Sequence, residues 1–150
     1  MSKIKYVSYD YAIKMLPFVK SYCKSIENTY RFLSKLQRVK EVLENLEPTN
    51  DKHKEKTQRL MEKIQEKYAA YIKRMQTWGE ELSKLNLFIC SLASGCIDIP
   101  ILDKELQEVI MLCIHAKTKP NKIVYHLANE NYINAKPYNW TVAKNKKKKS

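Results

Sequence analysis

Three short stretches carry the side chains able to do chemistry. "CIDIP" (96–100) sets Asp98 among isoleucines, "MLCIHA" (111–116) sets Cys113 two residues before His115, and "VYHL" (124–127) adds His126. In an extended chain, residues two apart share a face. Cys113 and His115 would therefore lie together, as would Cys96 and Asp98. Thiolate and imidazole on neighbouring strands are donors that zinc prefers, so Cys113, His115 and His126 are metal candidates, although their spacing matches no finger or ribbon. A thiol, a base and an orienting acid are also the parts of nucleophilic catalysis, which makes Cys113, His126 and Asp98 the catalytic candidates. The structural reading of the same residues leads. Cys113 is then a small buried hydrophobe and His126 a half-buried strand residue. Asp98 holds a turn through backbone N–H groups or pairs with a cation such as Lys122. On that reading no cofactor is expected.

The elements that must position these groups begin with two long helices. A weak alternation over 3–8 suggests a short strand, and Ser8 with Asp10 marks a helix start. Leu16, Val19, Cys23, Ile26, Tyr30 and Leu33 recur at steps of three and four, and Leu36, Val39, Leu43 and Leu46 continue the stripe. This predicts a helix over 9–46, kinked or broken near Leu16 by Pro17, which lacks an N–H and clashes backward. Pro48 stops it, and Thr49, Asn50 or Asp51 can cap the next. Leu60, Ile64, Tyr68, Tyr71, Met75, Trp78, Leu82 and Leu85 predict a second helix over 50–85. Joined by a short turn, the two form an antiparallel hairpin. Residues 50–57 have no apolar stripe, and their expected neighbours Val39, Leu43 and Leu46 are apolar. Either lysine stems cover those three, or they form an interaction surface.

The hydrophobic period shifts from about 3.6 to about 2 after Leu85. Asn86 can adopt the left-handed conformation that ends helices. Strands are predicted within 87–128, with Gly95 supplying a positive φ between the first two. The fold class is therefore α+β: a long antiparallel helical hairpin packed on a small, mainly antiparallel β-sheet. Residues 1–143 form one domain, followed by a disordered lysine-rich tail over 144–150.

Composition narrows the function. With only Gly79 and Gly95, there is no glycine-rich phosphate loop. The formal net charge is +12, and five of those charges fall in the tail. Lys136, Lys144, Lys146, Lys147, Lys148 and Lys149 are the candidate contacts to RNA or another polyanion. Tyr125, Tyr132, Tyr138 and Trp140 nearby have the composition of a stacking surface. The four cysteines form no CxxC pair and no secreted disulfide framework. "MSKIKYVSYDY" lacks the apolar run of a secretory leader, and no stretch is long enough to span a membrane. A cytoplasmic location is expected.

The residues also resemble a family of small bacterial proteins, domain of unknown function 2203. Its outline opens with F-[ST]-x-x-x-A-x-x-x-L-P, followed by a helical hairpin, then G-[LI]-[VI]-D-[FI]-P, a strand ending L-C-W, a turn with G-E and a strand ending W-H-E. Here "YVSYDYAIKMLP" aligns through Tyr6, Ser8, Ala12, Leu16 and Pro17, and "GCIDIP" through Gly95, Ile97, Asp98, Ile99 and Pro100. "MLCI" supplies Leu112 and Cys113, and "VYHL" supplies His126. Ile114 and Tyr125 replace the tryptophans, the turn acid is missing, Leu127 replaces the acid after the histidine, and Lys136 lies beside the place of an expected arginine. The resemblance implies the same hairpin-and-sheet architecture and brings no activity with it.

The functional expectation is a non-enzymatic protein-interaction or self-association module with a basic surface. It would meet a homodimer mate or a protein partner through Val39, Leu43 and Leu46. The alternatives are an RNA- or polyanion-binding accessory protein, and a metal- or thiol-dependent enzyme using Cys113, His126 and Asp98.

Overall fold

The computed structural model describes residues 5–104, 106–128 and 135–138. Helix α1 (Tyr9–Glu44) starts where Ser8, in extended conformation, accepts a hydrogen bond from the Tyr11 amide. It is one helix across Pro17, so the break expected near Leu16 does not occur. The proline lies on the exposed side, while Leu16 and Val19 beside it are buried and hold the helix to the sheet. Helix α2 (Asp51–Lys84) is capped by Asn50, whose side chain accepts from the His53 amide. Asn86 then takes φ 61°, and the chain turns into the sheet.

The sheet is an antiparallel meander in the order β1 (Phe88–Ser91), β2 (Cys96–Asp103), β3 (Glu108–Ile114), β4 (Val124–Leu127), β5 (Lys136–Pro137). The two-residue β5 lies in a stretch without hydrophobic period and was not expected. Of the strand expected over 3–8, residues 3 and 4 lie outside the described residues; Val7 makes an isolated parallel bridge to Ile101, donating its N–H to the Pro100 carbonyl at 2.9 Å. Val7 joins β2 just beyond the last residue paired with β1, Asp98. That is where Pro100, which has no N–H to give a ladder, is tolerated.

Strand alternation decides which face each residue takes. Ile97, Ile99 and Ile101 pair with Ile114, Leu112 and Ile110, and all six are fully buried. They meet Ala12, Leu16, Val19, Cys23, Ile26 and Leu33 of α1 and Met75 and Leu82 of α2 in a single core. Gly95 sits at φ 63°, and a Cβ there would lie 2.5 Å from the Cys23 carbonyl oxygen, so the β1–β2 turn is pressed against α1.

Only part of the hairpin touches this core. Leu33 is the last buried residue of α1 and Met75 the first of α2; none between 34 and 74 is buried. At about 1.5 Å per residue, α1 alone is about 54 Å long, so the distal half extends well past the sheet. The helices pair through Tyr22 with Trp78 and Glu81, and through Phe32 with Tyr71. Carried onward at equal rise, that register sets Val39 across from Ile64 and Leu43 across from Leu60.

Candidate functional site

The opposite sheet face holds the chemistry. Asp98 is paired with Cys113 across β2 and β3, and His126 is paired with Met111 across β3 and β4, which puts Asp98, Cys113 and His126 on the same side. All three are buried: 6%, 2% and 5% exposed. Their ligand-capable atoms lie within 4.8 Å of one another. Asp98 is shared with a second group, since the sulfurs of Cys90 and Cys96 also lie within 4.8 Å of its carboxylate. Cys90 and Cys96 are joined as a disulfide across the irregular end of the β1–β2 pair, with Cα atoms 5.5 Å apart. Cys23 and Cys113 are free and buried.

His126 has a fixed hydrogen-bonding pattern. Its Nδ1 lies 2.8 Å from the Leu127 carbonyl oxygen, and its Nε2 lies 2.9 Å from Asp98 Oδ2. A carbonyl only accepts, so Nδ1 carries a proton. Nε2 and Asp98 then hold one proton between them, either as carboxylate with imidazolium or as carboxylic acid with neutral imidazole. Burial pushes the Asp98 carboxyl above its ordinary value, opposed by His126 and more weakly by Cys113 and His115. Asp98 Oδ1 is buried without a hydrogen bond of good geometry, and the Cys113 thiol is a weak donor toward the carboxylate.

This changes the roles expected for these residues. Asp98 is paired with His126 in the interior of β2, whereas Lys122 is exposed. His115 lies past the end of β3, where its amide donates to the Thr118 hydroxyl, and it stands outside the cluster. Cys113 has its thiol pushed well above the usual range, first by burial and then by the Asp98 carboxylate beside it. A raised thiol pKa is the opposite of the lowered one that activates a cysteine nucleophile.

The other candidates are scattered. Val39 and Leu46 are exposed and Leu43 half-buried. Val42 is 60% exposed and shares a helix face with Val39, three residues before it. Sequence reasoning missed it because it followed the buried stripe. Lys136 is exposed on β5, while Lys144, Lys146, Lys147, Lys148 and Lys149 lie outside the described residues. Tyr125 and Tyr138 meet edge to face, and Tyr138 meets Tyr9 at a tilt, all three packed at the margin of the core; Tyr132 and Trp140 lie outside the described residues.

A two-helix hairpin followed by a five-stranded antiparallel meander, with a buried acid, thiol and imidazole on its outer face, makes this an α+β protein. The chain belongs to the family of uncharacterized conserved proteins DUF2203, whose family model matches residues 5–137. Among curated proteins and among solved structures, nothing matches it. Among the described residues no helix is long and apolar enough to cross a membrane.

Proposed function

We propose that this protein is a non-enzymatic interaction module whose distal hairpin is a docking arm for a protein with an acidic, apolar-ridged surface. One observation carries this reading: no residue from 34 to 74 is buried, while Val39, Val42, Leu46 and Leu60 are 45–60% exposed. Isolated helices gain little from propensity and depend on burying an apolar face. An arm of this length with apolar residues open to solvent fits a partner that covers it. Charge complementarity selects the partner's character. Residues 31–74 carry twelve Lys and Arg against seven Asp and Glu, so a like-charged second copy fits less well than an acidic protein. A cytoplasmic setting accords with the free cysteines Cys23 and Cys113, and the Cys90–Cys96 bridge would be open to reduction there.

The test compares complexes recovered on the full chain, on a Val42→Ser/Leu46→Ser variant, and on a Phe18→Ser control altered at the sheet end. An identified partner with an acidic surface, held by the wild type and the control, released by the arm variant and weakened by salt, supports the reading. The same partners on all three proteins, or a homodimer in sedimentation that the arm variant abolishes, overturns the choice of partner.

A further inference from the structure

We propose that Asp98, Cys113 and His126 form a binding site for a borderline-soft divalent transition-metal ion of the zinc type. Four observations lead there.

The first is the donor set. One carboxylate oxygen, one sulfur and one imidazole nitrogen converge within 4.8 Å from three different strands. Ligand atoms around a tetrahedral zinc are themselves spaced at roughly 3–4 Å, given bonds of about 2.0–2.3 Å. Sulfur and imidazole select zinc and its neighbours over calcium or magnesium, which take oxygen.

The second is the histidine's orientation. Nδ1–H donates to the Leu127 carbonyl at 2.8 Å and turns Nε2 into the cluster. Metal-bound histidines characteristically donate their other ring N–H to a carbonyl or carboxylate, which fixes the tautomer the metal needs.

The third is a weakly satisfied acceptor. Asp98 is only 6% exposed, its Oδ1 makes no hydrogen bond of good geometry, and besides His126 only the weak thiol donor of Cys113 interacts with the carboxylate. A buried acceptor so weakly satisfied keeps much of its desolvation cost, and a cation beside it would offset that cost.

The fourth is charge balance. Without metal the cluster holds a thiol and an acid–imidazole pair sharing one proton, which is neutral overall. A divalent ion bound to carboxylate, thiolate and neutral imidazole is also neutral, with about two protons released. Burial therefore penalises the loaded site no more than the empty one through net charge. A monovalent or trivalent ion would leave a buried net charge.

The structural alternative is a sheet face closed by one acid–histidine pair with an inert cysteine beside it. The two are separated by titrating the full chain with Co2+ under anaerobic, reducing conditions, in a Cys90→Ala/Cys96→Ala background that removes the other thiols near Asp98. The expected result is one cobalt per chain, a thiolate-to-cobalt charge-transfer band, and displacement of both by Zn2+. Cys113→Ser should abolish the band. His126→Gln and Asp98→Asn should each weaken binding about tenfold or more, with circular dichroism reporting that each variant is folded. If those variants unfold, the band and stoichiometry in the parent decide. No thiolate band in the parent at excess Co2+ overturns the proposal. So does a band that survives Cys113→Ser, which would place the metal on Cys23.

Discussion

Asp98 Oδ2 accepts or shares its proton with His126 Nε2 at 2.9 Å, joining β2 to β4 across the buried outer face of the sheet from 28 residues away in sequence. Because the Leu127 carbonyl fixes the proton on Nδ1, Nε2 always needs a partner from position 98. Asp98→Ala should destabilise the chain by about 3 kcal/mol, since it leaves a buried imidazole nitrogen unpaired. Asp98→Asn can still donate to Nε2 and should cost markedly less. Urea unfolding of both variants, with His126→Ala and the double variant Asp98→Ala/His126→Ala, gives the coupling. A coupling energy below about 0.5 kcal/mol would mean the two side chains do not act as a pair.

Gly95 should tolerate no side chain. Its φ of 63° is strained for an L-residue, and an added Cβ would meet the Cys23 carbonyl oxygen at 2.5 Å and Glu27 Cβ at 3.0 Å. The blocking atom is helix backbone, which cannot swing aside. Gly95→Ala should cost roughly 2–4 kcal/mol, read from the denaturation midpoint. Gly79, where an added Cβ would meet Ile89 Cδ1 at an ordinary 3.9 Å, should accept alanine with no loss.

Cys23 gives a stability effect with a defined sign. Its thiol donates to the Ile114 carbonyl at 3.2 Å, and burial pushes its pKa up from 9.0 to about 12. The folded state therefore favours the protonated thiol. Its contribution is complete below pH 9 and is lost as pH rises from 9 toward 12, because the unfolded thiol ionises first. Unfolding free energy should fall with a slope approaching about 1.4 kcal/mol per pH unit from this group, and Cys23→Ala should remove that part of the slope. Equal slopes in wild type and variant would show that the thiol does not titrate differently on folding.

The two helix caps should behave differently. Ser8 caps the end of α1 that packs on the sheet, and Asn50 caps α2 within the unburied arm. Ser8→Ala should lower global stability by about 1 kcal/mol. Asn50→Ala should instead speed amide exchange near the start of α2 and leave the global transition nearly unchanged, because the arm opens on its own. A global loss from Asn50→Ala as large as that from Ser8→Ala would mean the arm unfolds together with the core.

Much of the fold was legible because its signals are local. The three-and-four spacing marked both helices, Ser8 the first cap and the Thr49, Asn50, Asp51 run the second, of which Asn50 does the capping; Asn86 and Gly95 marked the positive φ angles, and the change of period the sheet. What remained hidden depends on register between distant segments. Nothing local says that Asp98 lies opposite Cys113, or that His126 lies opposite Met111, two residues from Cys113 and so on the same side. The split between buried and open hairpin was legible only in part, since the apolar stripe runs through both halves with one spacing. Burial depends on where the sheet ends, and Val42 shows its exposure only once that edge is known. β5 is too short to have a period.

The central claim is that the hairpin beyond Leu33 and before Met75 is a surface meant to be covered. The most direct measurement replaces Val42 with a photo-cross-linking amino acid in cells and, as a control, does the same at Phe18, which is 45% exposed at the sheet end. The account expects discrete protein adducts from position 42 that are absent from position 18. No adduct from position 42, or the same adducts from both positions, would contradict it.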